Sequence, residues 1–221
     1  MPARILRKQP PPSSGFTLIE MMVVVAVIAL LTLSVAPMVF ETMTATRITS
    51  AGESLAAQLS LGHQLAVSGN QDVEVRFYEY DDPNEPGSGR VVHAVVLMRS
   101  AGNFSPPAGG TVLAQQLTDT FYLPSGIVVA SGAKLSPPLY RLTANQDREG
   151  VIKKSGSATY RAFHFYPDGS TDLPQNNLPA NQCYFTIGEG RLMAAAANSI
   201  PKNFYAVQVD PNTGRTVTYR P

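Results

Sequence analysis

The sequence predicts an α+β protein: one long N-terminal helix followed by a domain built mainly on an antiparallel β-sheet. Three observations lead there. Residues 21–40 are an uncharged apolar run, residues 48–66 carry apolar side chains at helical spacing, and the remainder breaks into short alternating or apolar runs. Between those runs fall many of the 18 prolines and 17 glycines of this 221-residue chain, which has no Trp. That composition suits a loop-rich β domain better than a helical bundle, and the length suits one such domain plus an attached element.

Charge narrows the function classes. The formal net charge is +1 and only 15% of residues are charged, so no sign imbalance argues for nucleic acid or an acidic ligand. Arg4, Arg7 and Lys8 lie within the first fifteen residues, where no acid occurs. The rest is nearly neutral and has no polybasic patch, so no direct nucleic-acid binding is expected. Cys183 is the single cysteine, which rules out an intramolecular disulfide and leaves the redox compartment open. It reads as a small buried apolar residue of the run Cys183-Tyr184-Phe185, since nothing nearby supplies the electropositive setting of a reactive thiol.

The N-terminus has a basic head, a polar Pro10-Pro11-Pro12-Ser13-Ser14-Gly15 stretch and then the apolar run. As a helix, residues 21–40 span roughly 30 Å, the thickness of a bilayer core. A transmembrane segment is therefore expected. A secretory signal has a shorter apolar core and a small-x-small cleavage site; Ser34-Val35-Ala36 is followed by Pro37, a poor residue for that cleavage. Glu20 stands alone at the start of the run. A carboxylate in lipid needs a partner, although an acid there also complements the positive end of a helix dipole. Pro37 reads either as a helix-weakening device or as a simple kink.

Gly15-Phe16-Thr17-Leu18-Ile19-Glu20, followed by Met21-Met22-Val23-Val24-Val25, resembles the processing and assembly motif of type IV pilins and pseudopilins. The resemblance implies that a prepilin peptidase cuts between Gly15 and Phe16 and methylates the new amino terminus. It implies that Glu20 then offers its carboxylate to the α-amino group of a neighbouring subunit. Glycine before the cut lets the backbone approach the protease closely. The basic leader and the positive-inside rule place the N-terminus in the cytoplasm and everything after residue 40 outside.

Beyond the membrane run, Ile48, Ala51, Leu55, Leu59, Gly62 and Ala66 recur at spacings of three and four, against Glu53, Ala57, Ser60, Gln64 and Ser68. One helix from residue 16 to 68 is expected, with Gly69-Asn70 as its stop and the glycine as left-handed cap. Val73, Val75 and Phe77 alternate with Glu74, Arg76 and Tyr78 as in a half-buried strand, and residues 81–89 read as a loop. Residues 91–98, apolar on both faces, read as a central strand. Further strands are expected near 111–117, 126–130, 162–166 and 183–187, then a hairpin of 205–209 and 215–219 around Asp210-Pro211-Asn212-Thr213-Gly214. The expected organisation is thus a cleavable leader (1–15), a transmembrane helix (16–40), an amphipathic continuation (41–70) and a β-rich periplasmic domain (71–221).

Several segments resemble the H-type minor pseudopilins of type II secretion and their type IV pilus counterparts. These are 55–67 with Val73-Glu74-Val75-Arg76-Phe77, Leu123-Pro124-Ser125-Gly126-Ile127-Val128-Val129, Phe165-Tyr166-Pro167-Asp168-Gly169-Ser170, and the closing hairpin 207–217. Residues 131–161 match no recognisable pattern.

No active site emerges. His63, His93 and His164 have no ligand partner at metal-binding spacing and read as structural. Gly188-Glu189-Gly190 reads as a turn after a strand, and Asp168-Gly169-Ser170-Thr171-Asp172 as a β-turn rather than a calcium loop, for it lacks the full acidic set. The expected function is non-enzymatic, with no cofactor and no metal: a minor pilin or pseudopilin assembled into a type II secretion pseudopilus or a type IV pilus. Its implied partners are other pilin subunits, the prepilin peptidase, the inner-membrane assembly platform and membrane lipid. The competing expectations are a membrane-tethered envelope binding module that does not polymerise and, with no constellation to support it, a tethered hydrolase.

Overall fold

The computed structural model describes residues 15–82, 91–99, 115–143, 148–154, 156–173, 179–195 and 200–221, without the side chains of 34–38, 143, 148–151, 157, 180 and 194–195. The expected loop at 81–89 and strand at 111–117 fall largely outside these residues. The chain divides into two units, Met1–Met43 and Thr44–Pro221. The first helix, α1 (Leu18–Gly69), contributes to both, and each unit is described by itself.

In the first unit every described side chain from Leu18 to Leu33 is exposed, on all faces of α1. No helix among the described residues is long and apolar enough to cross a membrane. The span expected over 21–40 includes 34–38, whose side chains lie outside the description.

In the second unit α1 buries one stripe. Ile48, Ala51, Leu55, Leu59 and Ala66 are at most 1% exposed, while Glu53, Ala57 and Gln64 face out, as their spacing predicts. Ser60 departs from the polar face, for its Oγ lies 2.8 Å from Thr216 Oγ1. The helix ends in a Schellman motif: Gln71 N–H donates to Ala66 O (3.2 Å) and Asn70 N–H to Val67 O (3.4 Å). Asn70, with φ 45°, takes the left-handed position in place of the expected glycine. Helical geometry continues one residue further, through Gly69, so the polar side chain after it becomes the cap.

The strands are β1 (Val73–Tyr80), β2 (Val91–Arg99), β3 (Phe121–Tyr122), β4 (Ile127–Val129), β5 (Arg148–Ile152), β6 (Gly156–Phe165), β7 (Tyr184–Glu189), β8 (Tyr205–Val209) and β9 (Thr216–Tyr219). They form one antiparallel sheet in the order β5-β6-β1-β2-β4-β7-β8-β9, with β3 also on β2. The central position expected for β2 is the one observed.

Two short helices, α2 (Pro137–Thr143) and α3 (Gly190–Ala195), join the sheet. α2 starts with Pro at its first position, after Ser136. Within 131–161 the structure thus supplies α2, β5 and most of β6, and β6 begins six residues before the expected 162. Gly188 and Glu189 continue β7 and Gly190 opens α3, so no simple turn lies there.

The core facing α1 contains Val73, Val75, Phe77, Val95, Leu97, Phe163, Phe165, Phe185 and Val207. Phe77 stacks on Phe185 with ring centroids 4.9 Å apart, an aromatic contact worth about 0.5–1.5 kcal/mol beyond area burial. The expected half-buried character of β1 is corrected by a second apolar cluster on the opposite face. Tyr78, Tyr80, Ala94, Val96, Ile152, Ala158, Tyr160 and Ala162 gather there. Glu74 and Arg76, which alternation assigned to solvent, are held on that face by a 2.7 Å ion pair, with the Arg76 guanidinium 4.5 Å from the Tyr160 ring centre.

Candidate functional site

The residues with a sequence rationale for function lie at the start of α1. Gly15 and Phe16 precede the helix, and Phe16 is 77% exposed. A β-carbon added at Gly15 would touch nothing within 4 Å among the described residues. Thr17 is the N-cap: its carbonyl accepts the first helical hydrogen bond, from Met21 N–H at 3.2 Å.

Glu20 sits three residues on and completes a reciprocal capping box. Thr17 N–H and Thr17 Oγ1–H both donate to Glu20 Oε2 at 2.9 Å, and Glu20 N–H donates to Thr17 Oγ1 at 3.3 Å. Glu20 Oε1 accepts no hydrogen bond among the described residues. The sequence reading overlooked Thr17, although Thr-x-x-Glu before an apolar run is a helix-start signature. The carboxylate thus has one satisfied oxygen and one open oxygen, at a helix N-terminus that favours negative charge.

Around and beyond it the helix is sheathed in exposed apolar side chains: Leu18 78%, Ile19 69%, Met22 63%, Val25 64%, Leu30 68% and Leu33 78%. A continuous run of such exposed apolar surface marks an interaction surface rather than an ordinary solvated face.

The other candidates are held by contacts within the second unit. His63 on α1 meets the edge of Phe165, centroids 5.8 Å apart, and lies against the two glycine turns at Gly169 and Gly214. His93 is buried, its ring tilted against Tyr80 with centroids 4.9 Å apart. It occupies a β-bulge, because Tyr78 pairs with Ala94 but Glu79 with Val92. His164 Nδ1 lies 2.8 Å from Asp172 Oδ2, and its backbone N–H donates to Asp172 Oδ1.

Asp168 closes the expected turn: its Oδ1 accepts from Ser170 N–H (2.9 Å) and Oγ–H (2.7 Å), and Gly169 has φ 87°. Those bonds, side-chain first, hold the Asp168 carboxyl below its ordinary range. Asp168 and Asp172 therefore serve different partners. Among the described residues no three His, Cys, Asp or Glu side chains gather as metal ligands. Cys183 is fully buried, and burial, with Asp210 adding to it, pushes its thiol up to about 11.

Residues 11–36 match the family described as the prokaryotic N-terminal methylation motif. The match covers Gly15, Phe16, Thr17 and Glu20 and supports a type IV pilin-like N-terminus. No curated protein and no solved structure matches the chain.

Proposed function

We propose that this chain is a minor subunit of a type II secretion pseudopilus or a type IV pilus, most like the H-type minor pseudopilins, and that it carries no catalytic site. The carrying observation is that the methylation motif at residues 11–36 coincides with a helix whose described side chains from Leu18 to Leu33 are all exposed and largely apolar. In this reading the helix is inserted in the inner membrane as a single pass, with the β-rich domain periplasmic, until the subunit is packed among like helices.

The prepilin peptidase cuts after Gly15 and methylates Phe16. The open Oε1 of Glu20 then receives the α-amino group of a neighbour, while Thr17 keeps Oε2, so both charges are neutralised away from water. Other pilin subunits and the inner-membrane assembly platform are the partners this requires.

Mass spectrometry of the membrane-extracted protein tests the first step. A mature, methylated start at Phe16 is expected. An intact Met1 start in cells with an active prepilin peptidase overturns the reading.

A further inference from the structure

The two edges of the sheet differ in what they offer an added strand. β5 carries Arg148, Glu149 and Gly150 and runs into Lys153 and Lys154, residues of the kind that discourage edge pairing. β9 reads Thr216-Val217-Thr218-Tyr219, with no charge, Gly or Pro, and among the described residues it pairs only with β8.

Hydrogen-bond direction fixes which backbone groups of β9 are free. Val209 N–H donates to Cys183 O at 2.8 Å, so Val209 faces β7, while Asp210 N–H donates to Arg215 O at 2.9 Å across the turn. By alternation Gln208 and Ala206 face β9, and their register partners Val217 and Tyr219 face back to β8. The N–H and C=O groups of Thr216 and Thr218 therefore point out of the sheet. What recognises such a row of groups is the backbone of another extended strand.

The side chains specify more. Thr216 turns to the helix side, where its Oγ1 lies 2.8 Å from Ser60 Oγ of α1, and Thr218 shares that face. Val217 and Tyr219 lie on the opposite face, 63% and 61% exposed, and wall an apolar hollow of about 250 Å³ together with Tyr184, Ile200 and Phe204. The Tyr219 ring packs on Phe204, centroids 6.3 Å apart, so that wall is preformed.

We propose that β9 is a strand-addition edge for an extended, uncharged segment of a different protein, with the side-chain order hydroxyl–apolar–hydroxyl. In antiparallel register the two hydroxyl residues sit opposite Thr218 and Thr216 and exchange backbone hydrogen bonds with them. The residue between them falls opposite Val217 as a non-hydrogen-bonded pair, about 4.5 Å away at Cα, on the face that holds the hollow. An aromatic or branched side chain there covers Val217 and the rim of the hollow. Small hydroxyl side chains suit the other face, where α1 comes within hydrogen-bond reach at Ser60.

A second copy is not this occupant. Antiparallel pairing of two β9 strands reverses α1 of one copy against the other, which the single-pass reading of the helix forbids to copies in one membrane. The choice of a different protein rests on that reading; the edge and the hollow do not.

The test is a titration of the full chain in detergent micelles with the fluorescein-labelled peptide Ser-Thr-Phe-Thr-Ser, read by anisotropy. In the proposed register the N–H groups of its threonines point to β9 and that of its phenylalanine points away. N-methylation of either threonine nitrogen should weaken binding about fivefold or more, the loss of one hydrogen bond, and N-methylation of the phenylalanine less than about twofold. Thr218→Pro in the protein removes an edge-facing N–H without touching the β8 ladder and should weaken binding by a similar factor. Val217→Lys, which keeps the backbone whole and sets a charge at the rim of the hollow, should act the same way, and Thr218→Ser should change nothing.

No binding, equal effects of the two kinds of N-methylation, or indifference to both Thr218→Pro and Val217→Lys overturns the proposal. Self-association of the chain without peptide, abolished by Thr218→Pro, overturns it differently: the edge then belongs to a second copy, and the single-pass reading fails with it.

Discussion

The ring of Tyr205 on β8 occupies the place that a β-carbon on residue 52 of α1 would take; the two residues are one packing unit, a glycine notch holding a buried aromatic ring. In an exposed helix, Gly→Ala gains about 0.5–1 kcal/mol. Here the added methyl must displace a ring, and overpacking of this kind costs about 1–3 kcal/mol. Gly52→Ala is therefore expected to lower stability by about 1–2 kcal/mol in urea unfolding, and Tyr205→Leu in the same chain to recover part of it. A stabilised Gly52→Ala protein contradicts the packing.

The Glu79–Arg161 pair gives a second stability prediction. Arg161 lies in register with Phe77 and Glu79 with Thr159, so their 2.8 Å contact is diagonal across β1 and β6, and both side chains are under 10% exposed. Removing one charge deprives the other of its 2.8 Å partner in a buried setting, at up to about 3–5 kcal/mol, whereas replacing both with apolar residues is far milder. Arg161→Met should unfold at much lower denaturant than wild type, and Glu79→Leu with Arg161→Met should return most of the loss. An additive double variant would count against a coupled pair.

Acid should loosen the two turns next to His63. Ser170 donors hold the Asp168 carboxyl below its ordinary range, and the Asn212 backbone N–H does the same for Asp210. A depressed folded value stabilises the protein above the unfolded carboxylate value, near 4, and that stabilisation is lost as pH falls through the folded value. The thermal midpoint should be flat above about pH 5 and fall below about pH 4. Asp168→Asn with Asp210→Asn, which keeps the acceptors but not the charges, should flatten that fall; an unchanged pH profile removes these residues from the account.

Thr17 and Glu20 separate a filament subunit from a plain anchor. Glu20→Val makes the helix easier to insert, so an anchor tolerates it, whereas a pilin is still cleaved but fails to enter sheared filaments. Thr17→Val removes the hydroxyl from Oε2 and leaves the carboxylate, so incorporation should fall less than with Glu20→Val. Equal recovery of wild type and Glu20→Val in filaments sinks the assigned role of Glu20. If neither enters a filament, a tethered binding module becomes the better reading.

Local patterns in the sequence specify the elements whose causes are local. The stripe from Ile48 to Ala66 is a helical period, β8 and β9 are alternating runs around an Asp-Pro-Asn-Thr-Gly turn, and Thr17-x-x-Glu20 is a capping box readable from four residues. That box sets the start of α1 at Leu18, two residues after the expected 16, because a helix end is satisfied by neighbours in sequence.

Only the tertiary structure decided what depends on partners far along the chain. It placed β6 beside β1 and so buried both faces of β1, which reversed the outward assignment of Glu74, Arg76 and Tyr78. It brought Glu79 diagonally onto Arg161, set the His93 bulge, and supplied α2, β5 and the first part of β6 within 131–161. Alternation in one strand tells which side chains share a face. What covers that face is set by strand order, whose entropic cost and packing return belong to contacts between distant residues.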